Sequence, residues 1–579
     1  MSKPNVHQKT ILNLLSDSKA DFLIPDYQRP YAWNQDQCQT LWDDLVNFTI
    51  PGGNHEKFDS KKDEYFLGSI VAFQENDKHE IIDGQQRLTT FMLILRAFHK
   101  DFENRQDNNG INIRQNIEKC IWKYDEFENP LKDELKIISE VAGDDDKDEF
   151  LSILKNGTAP KEYKSQYAEN FRFFENKIRE MRDYNSDNNQ YIVTRLLKNC
   201  AVLFVEAETQ DSALRIFSTL NDRGLPLADA DIFKSKFYKL HSDKNQKNDF
   251  IEEWKKLEEI TDEIFKPSQG TPMDELFTKY MYFLRAKNGT TGSTTESLRN
   301  FFRGEKQDFP YFKNENAMDD LSDLAIFWKK IYSQNEAFGN KVLRKLFVLR
   351  YSPNTMWENI TSVWFLQNRD ANDEIDLEKF SEFLSKIINF VLGYSLINPG
   401  VNQLRTPVFK EMNEIVKNNN LIPAFENHLL DENSLRATFE NFDFNNMKNI
   451  TKSFLVWFAF SKEDQQILDL KEPLQIEHIF AKKRAEINGI SNKNLIESIG
   501  NKIILESSIN IKASDFEFDV KKDFYLGKKH RGSTKEPSKI AEIIELTRLD
   551  KFDEPEIIAR KSQIIDKFID TLKNENLLK

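Results

Sequence analysis

Residues 66–100, FLGSIVAFQENDKHEIIDGQQRLTTFMLILRAFHK, decide how the N-terminal half of the chain reads. FLGSIVAFQ (66–74) is an apolar run of strand length, as a buried strand requires. The polar ENDK makes a turn, and HEIID (79–83) is a second, shorter strand. Leu88, Phe91, Met92, Leu95 and Phe98 then recur at three- and four-residue spacing, which predicts an amphipathic helix. Asp83-Gly84-Gln85-Gln86-Arg87 therefore falls at a strand–helix joint, where unpaired N–H groups and the helix dipole favour an anion. Gly84 allows a tight turn or a close approach to a ligand. Arg87 can fork onto a phosphate, Gln85 and Gln86 offer amide donors, and Asp83 can hold a cation or orient a water. The plainer reading makes the same residues a helix cap.

Gln28-Arg29 in IPDYQRPYAW (24–33) is a second Gln-Arg pair, set among prolines and aromatics, and two such segments within sixty residues suggest one shared phosphate-binding cleft. Tyr27, Tyr31 and Trp33 suit local packing and also a recess for a ligand. Asn221-Asp222-Arg223-Gly224 is a third polar turn that could line the cleft or simply stop a helix. It follows the strand AVLFVEA (201–207) and a helix through Leu220. DDDKDE (144–149) and NGTAP (156–160) mark surface loops. From about 230 to 460 the pattern is mostly helical, interrupted by the small, polar KNGTTGSTTES (287–297). After 470 the texture changes: QIEHIF (475–480) and KIILE (502–506) are strand-like, and 513–525 reads as a helix.

A length of 579 residues suggests about three or four domains. The expected divisions are 1–240, 241–445 and 446–579, the middle one spacing and coupling the two ends. The expected class is α+β, predominantly helical. Lys and Arg total 81 against 95 Asp and Glu, a net charge of −14, which excludes a uniformly basic nucleic-acid coat but not a local basic patch. Mean hydropathy is −0.63. Cys38, Cys120 and Cys200 lie far apart and form neither a disulfide framework nor a zinc motif, which suits a reducing interior. MSKPNVHQKT precedes no apolar stretch, which speaks against a secretory signal, and AVLFV and LVWFAF are far short of the ~20 residues of a membrane span. A cytoplasmic protein with no membrane partner is expected.

Glu477-His478 closes one C-terminal strand and Asn501 opens the next; Asn510, Asp515 and Lys521 follow. Phosphodiester hydrolysis needs a water deprotonated near neutral pH, and histidine titrates closest to that range. It also needs phosphate charge neutralised, as a carboxylate-held Mg²⁺ can do. The blander reading is a Glu-His pair capping a strand end. Residues 471–540 carry 14 Lys and Arg against 10 Asp and Glu, a local +4 inside an acidic chain. KKR (482–484), KK (521–522) and KKHR (528–531) could bind a phosphate backbone without reading sequence.

In order along the chain, IPDYQRPYAWNQDQCQTLWDDL, FLGSIV, IIDGQQRLTT and FSTLNDRGLPLADADIFKSKF resemble the ParB-like N-terminal domain of GmrSD/SspE-like type IV restriction proteins, over about residues 10–240. The resemblance implies an α/β domain that binds and hydrolyses a nucleotide (GTP, UTP or ATP) and senses modified DNA. Gln28, Arg29, Asp83, Gly84, Gln85, Gln86 and Arg87 match its nucleotide-binding motifs. The chain has no G-x-x-x-x-G-K-[ST] loop, so nucleotide chemistry would use this different cradle.

The order EHI, GN, Asn510 and Phe518-x-x-Lys521 is similar to the HNH nuclease domain that follows in the same proteins, over about 465–530. It implies a ββα-metal fold, a hairpin and helix around one Mg²⁺ or Mn²⁺. His478 would be the general base, Glu477 and Asp515 the metal ligands, Asn501 and Asn510 positioning or binding groups, and Lys521 a phosphate contact. His530 would be a weaker third ligand. Two departures stand out: Ala481 where proline is usual, and Asp515 where asparagine is common.

Together the resemblances imply a modification-dependent endonuclease acting on double-stranded, phage-derived DNA, gated by its nucleotide domain. The alternative is a nucleotide-binding sensor with a degenerate nuclease site. Glucosylated hydroxymethylcytosine and backbone phosphorothioate are both compatible with the resemblance, as is a homo-oligomer.

Overall fold

The computed structural model describes residues 5–579 except 18–20, 27, 76–77, 142–145, 186, 210–211, 214–215, 217–227, 245, 293, 307, 401, 420, 484–492 and 529–535. Tyr27, the Asn221–Gly224 turn and the end of the helix before it, part of the KKR and KKHR runs, and His530 lie outside the described residues. The chain divides into two compact units, Met1–Lys256 and Leu257–Lys579. The class is α+β and mostly helical.

The first unit contains β1 (Asn5–Thr10), β2 (Phe22–Ile24), β3 (Tyr65–Glu75), β4 (Lys78–Asp83), β5 (Trp122–Tyr124), β6 (Pro130–Leu135), β7 (Ile137–Ser139) and β8 (Cys200–Ala207). Six of these form one mixed sheet in the order β1-β8-β3-β4-β2-β7, and β5 pairs with β6 apart from it. β3 runs antiparallel to β4 but parallel to β8. The reason FLGSIVAFQ reads as a continuous apolar run is that both its faces are covered. Ile70 and Ala72 join the large core under the helices, whereas Val71 and Phe73 join a smaller cluster with Ile82 and Val205 on the other face. The helix Gln85–Phe102 follows β4 and is buried on nearly every side, packed against the helices Asn108–Ile121 and Gln166–Tyr184.

β3, β4 and β8 stand where the apolar runs place them. β1, β2 and β7 do not show in the sequence. β1 is an edge strand with four of its six residues exposed, and β2 and β7 have three residues each, so partners rather than pattern define them.

The second unit begins as a stack of helices, among them Pro272–Lys287, Ala317–Tyr332, Gly339–Arg350, Met356–Asn368, Leu377–Ile397 and Asn449–Phe460. Leu377–Ile397 is long and apolar enough by composition to cross a membrane, although 72% of its most apolar window is buried inside the unit. Scattered polar residues break it into short runs, which is why no long apolar stretch stands out in the sequence. β9 (Leu474–His478) and β10 (Lys502–Glu506) form an antiparallel hairpin that sets Lys502 opposite His478 and Ile503 opposite Glu477. The expected helix over 513–525 is two helices, Ser507–Ala513 and Phe518–Tyr525, broken at Ser514 with φ +39°. Asp515 therefore sits in a turn and not on a helix.

A final helix, Glu554–Asn574, buries Ile557, Ile564, Ile565, Phe568, Ile569 and Leu572 at helical spacing. It buttresses the hairpin. Arg560 donates to the carbonyls of Ile499, Gly500 and Lys502 and pairs with Glu542. A Cβ on Gly500 would stand 2.1 Å from the Ile557 carbonyl oxygen, so only glycine lets the helix approach this closely.

Candidate functional site

The two Gln-Arg motifs of the first unit meet at the joint between β4 and Gln85–Phe102. Gln28 Nε2 donates to the carbonyls of Ile81 and Ile82, and Gln85 Nε2 donates to that of Arg29 (3.3 Å). The Gln86 amide clamps the segment from both sides, accepting from Ala32 N–H (2.8 Å) and donating to the Pro30 carbonyl (3.1 Å). Arg87 reaches back to β3, where Nη1 donates to the carbonyls of Leu67 (2.8 Å) and Ser69 (3.0 Å). Gly68, at φ +97°, makes room for that guanidinium, since a Cβ there would lie 2.2 Å from Nη1. Gly84 is left-handed at φ +91° and caps the helix, and a Cβ on it would press on Ile70 at 2.9 Å.

Three glutamines and one arginine are thus engaged in holding backbone. What the joint still offers a ligand is the Asp83 carboxylate, the exposed Arg29 and a helix N-terminus that no side chain caps. Burial pushes the Asp83 carboxyl up, opposed by Arg87, the Gly84 N–H, the Ser69 hydroxyl and Arg29. Tyr31 belongs to the core. It stacks on Tyr167 (4.8 Å) and shares hydrogen bonds with Thr90 and Asn170, so it does not line an open recess.

In the second unit the hairpin sends neighbouring side chains to opposite faces. Glu477 points inward and is buried; its Oε1 accepts from Lys521 Nζ (2.5 Å) and the Tyr525 hydroxyl (3.3 Å). Lys521, itself buried, also donates to the His478 carbonyl (2.6 Å). Burial pushes Glu477 up and Lys521 down, and each partly offsets the other's shift. Lys521 thereby ties the helix Phe518–Tyr525 to β9 and presents no ammonium to solvent.

His478 points the other way. Its Nε2 lies 3.4 Å from Glu497 Oε2, and its side chain is 17% exposed. Burial, then the nearby Lys502, hold the imidazole below its usual value against the pull of Glu497. Glu497 also accepts from the buried Lys502 (2.6 Å) and from Lys482 (3.0 Å). Burial alone would raise its carboxyl, but those two lysines hold it at about 2. Lys502 is anchored on its far side to the Phe444 carbonyl.

Asn501 is fully buried and is a structural tie. Its amide accepts from Phe480 N–H and donates to the carbonyls of Phe480 and Ile496, closing the base of the loop between the strands. Asn510 donates to Gln475 Oε1 (2.7 Å), leaving its buried Oδ1 without a hydrogen-bond partner. Asp515 is half-buried and pairs with Lys483 at 3.2 Å. Ala481 is buried.

The structure thus gathers Glu477, His478, Asn501 and Lys521 around the hairpin and sets Asp515 in the turn beyond it. Sequence reasoning missed Glu497, Lys502 and Tyr525. The signal for Lys502 was present: antiparallel pairing of QIEH with KIILE puts it across from His478. Tyr525 stands one helical turn after Lys521. Glu497 has no comparable signal, because the loop returns it to the site. Among the described residues no three His, Cys, Asp or Glu side chains converge on a metal position. Glu477 is taken up by Lys521, and Asp515 pairs outward, so these two do not make the expected ligand pair.

Both ends of the chain match family models. Residues 11–238 match the GmrSD restriction endonuclease N-terminal domain, and residues 430–567 match the GmrSD restriction endonuclease C-terminal domain. Those models define a restriction nuclease, for which DNA is the substrate, and together they span more than half of the chain. The chain belongs to the GmrSD restriction endonucleases and carries both domains. No curated protein matches it.

Proposed function

We propose that this restriction endonuclease is a cytoplasmic, modification-dependent enzyme that nicks or cuts foreign double-stranded DNA. Its ParB-like N-terminal domain would bind and hydrolyse a nucleotide (GTP, UTP or ATP) and gate an HNH-type C-terminal nuclease. The observation that carries the nuclease reading is His478, placed at the end of β9 with Glu497 beside Nε2 and the exposed Lys482 paired to the same carboxylate. Nε2–H directed at Glu497 leaves Nδ1 free to take the proton of a water attacking phosphorus, and the carboxylate then favours the imidazolium that forms. Lys482 and Lys483 would meet the DNA backbone.

An HNH site would draw on a divalent ion for charge neutralisation at the scissile phosphate. Glu477, held by the buried Lys521, and Asp515, paired with Lys483, do not fit that ion. The buried Glu477–Lys521 pair is also the observation that favours the second reading, a nucleotide-binding sensor whose nuclease site has degenerated. At the N-terminal joint, Asp83, Arg29 and the uncapped helix terminus are the groups left to take a nucleotide's phosphates and a water.

The test is a cleavage panel over modified and unmodified phage DNAs, with Mg²⁺ or Mn²⁺ and with and without each nucleotide. Cleavage that disappears in His478→Ala supports the enzyme. Intact DNA throughout, with nucleotide turnover retained, supports the sensor.

A further inference from the structure

The helical part of the second unit encloses a cavity of about 610 Å³, within the size range of small-molecule sites. Neither matched domain reaches its walls between residues 264 and 358. Phe265 and Trp357 supply buried aromatic surface. A polar chain runs along one wall. Lys279, wholly buried beneath it, donates to Glu275 (2.8 Å) and Glu358 (2.7 Å), and the Tyr332 hydroxyl donates to the other Glu358 oxygen (3.3 Å). Arg350 lies over the Tyr332 ring, 5.3 Å from its centroid, and among the described residues its guanidinium has no carboxylate partner. Ser352 Oγ, also on the wall, is buried and has no hydrogen-bond partner.

We propose that this cavity binds a small aromatic anion whose ring carries N–H donors, the chemistry of a guanine mononucleotide. Each feature of the wall selects one part of such a molecule. Arg350, which pairs with no acid among the described residues, takes the anionic group in a forked contact. Tyr332, Phe265 and Trp357 suit a planar ring. Glu275, one of whose oxygens is not engaged by Lys279, accepts from adjacent ring N–H groups. A guanine edge offers N1–H and N2–H to a carboxylate, whereas an adenine edge places an acceptor there.

The position of the cavity gives occupancy a consequence. Leu470 is part of its wall, and Gln334, on the same wall, grips the chain at Leu468 O (2.9 Å) and Leu470 N–H (3.3 Å). Four residues later that chain becomes β9, which ends at His478. A ligand that orders this wall orders the lead-in to the nuclease hairpin. The binding claim stands without the nuclease reading; only the functional meaning of the coupling rests on it.

Isothermal titration of the full chain with guanosine monophosphate, adenosine monophosphate and inorganic phosphate tests the assignment. The expected result is saturable binding of the guanine nucleotide on the order of 100 µM, weakened about tenfold or more by Arg350→Ala and by Glu275→Gln, with adenosine monophosphate and phosphate weaker. Arg350 is exposed, so the first variant keeps its fold, which its unfolding midpoint verifies. Hydrogen exchange over 466–478 should slow when the guanine nucleotide is bound. No saturable binding, equal binding of the two nucleotides, or binding that survives both substitutions would overturn the site. Binding without slower exchange would overturn the coupling.

Discussion

The N-terminal joint and the C-terminal hairpin hold their shapes by opposite means. At the joint, neutral amides do the holding: Gln28, Gln85 and Gln86 bond to backbone, and Arg87 secures the β3 carbonyls. At the hairpin, charges hold one another: Glu477 with Lys521 inside, and Glu497 with Lys502 beside His478. A neutral clamp leaves the Asp83 carboxylate half-buried, held by the Gly84 N–H and the Ser69 hydroxyl, with Arg29 exposed beside it. Paired charges shape a site while leaving its histidine uncharged. A motif of polar residues can therefore serve largely to hold backbone, as the three glutamines and Arg87 do here.

The largest expected effect is on the charged side of this contrast. Lys521→Met strands Glu477 in the core and should cost about 3–5 kcal/mol of unfolding free energy. Replacing both partners, Glu477→Leu with Lys521→Met, should recover most of that loss. Denaturant unfolding of the singles and the double measures the coupling, and simple additivity would break the account of the pair.

On the neutral side the cost is smaller. Gln86→Ala leaves the Ala32 N–H and the Pro30 carbonyl without their partner and should cost about 2–3 kcal/mol, with nucleotide turnover falling alongside. An unchanged unfolding midpoint would show that the amide clamp holds nothing. Smaller again, Gly84→Ala asks an L-residue to take a left-handed φ and press on Ile70, at about 1–3 kcal/mol, read from the same unfolding curve.

The pH response sharpens the contrast with the least effect. Burial lowers His79 and His99 in the first unit and His478 in the second below the usual 6.5. Each ring is neutral when folded and takes a proton more readily when unfolded, so its contribution to stability is present above 6.5 and fades as pH falls through the lowered value. His99 fits its surroundings as a neutral ring, Nδ1 accepting from Arg96 and Nε2–H donating to Glu118, both at 3.1 Å. The melting temperature should fall between about pH 7 and about pH 5, and His99→Gln should flatten that slope. A rise in stability over the same window would contradict it.

What the sequence makes legible follows from the physics of each element. β3, β4 and the helix Gln85–Phe102 are long and strongly patterned, and they are found where the pattern puts them. β2 and β7 are three residues each and exist only because their neighbours pair with them. The long buried helix Leu377–Ile397 hides behind scattered polar residues. Within the candidate sites, the residue types at each motif were visible, but their partners were not. That Gln86 grips Pro30 and Ala32, or that Glu497 returns across a loop to His478, is fixed by tertiary contacts that leave no periodic trace. The helical middle, which showed no chemistry in its sequence, assembles a cavity from residues spread between 264 and 470.

His478 is the proposed base of the DNA-cleaving site. The most direct measurement is the cleavage rate of phage DNA by the wild-type chain and by His478→Ala, with unfolding midpoints of both recorded. A loss of about 100-fold or more with an unchanged midpoint is the predicted result. Cleavage by His478→Ala within a few-fold of wild type would contradict it.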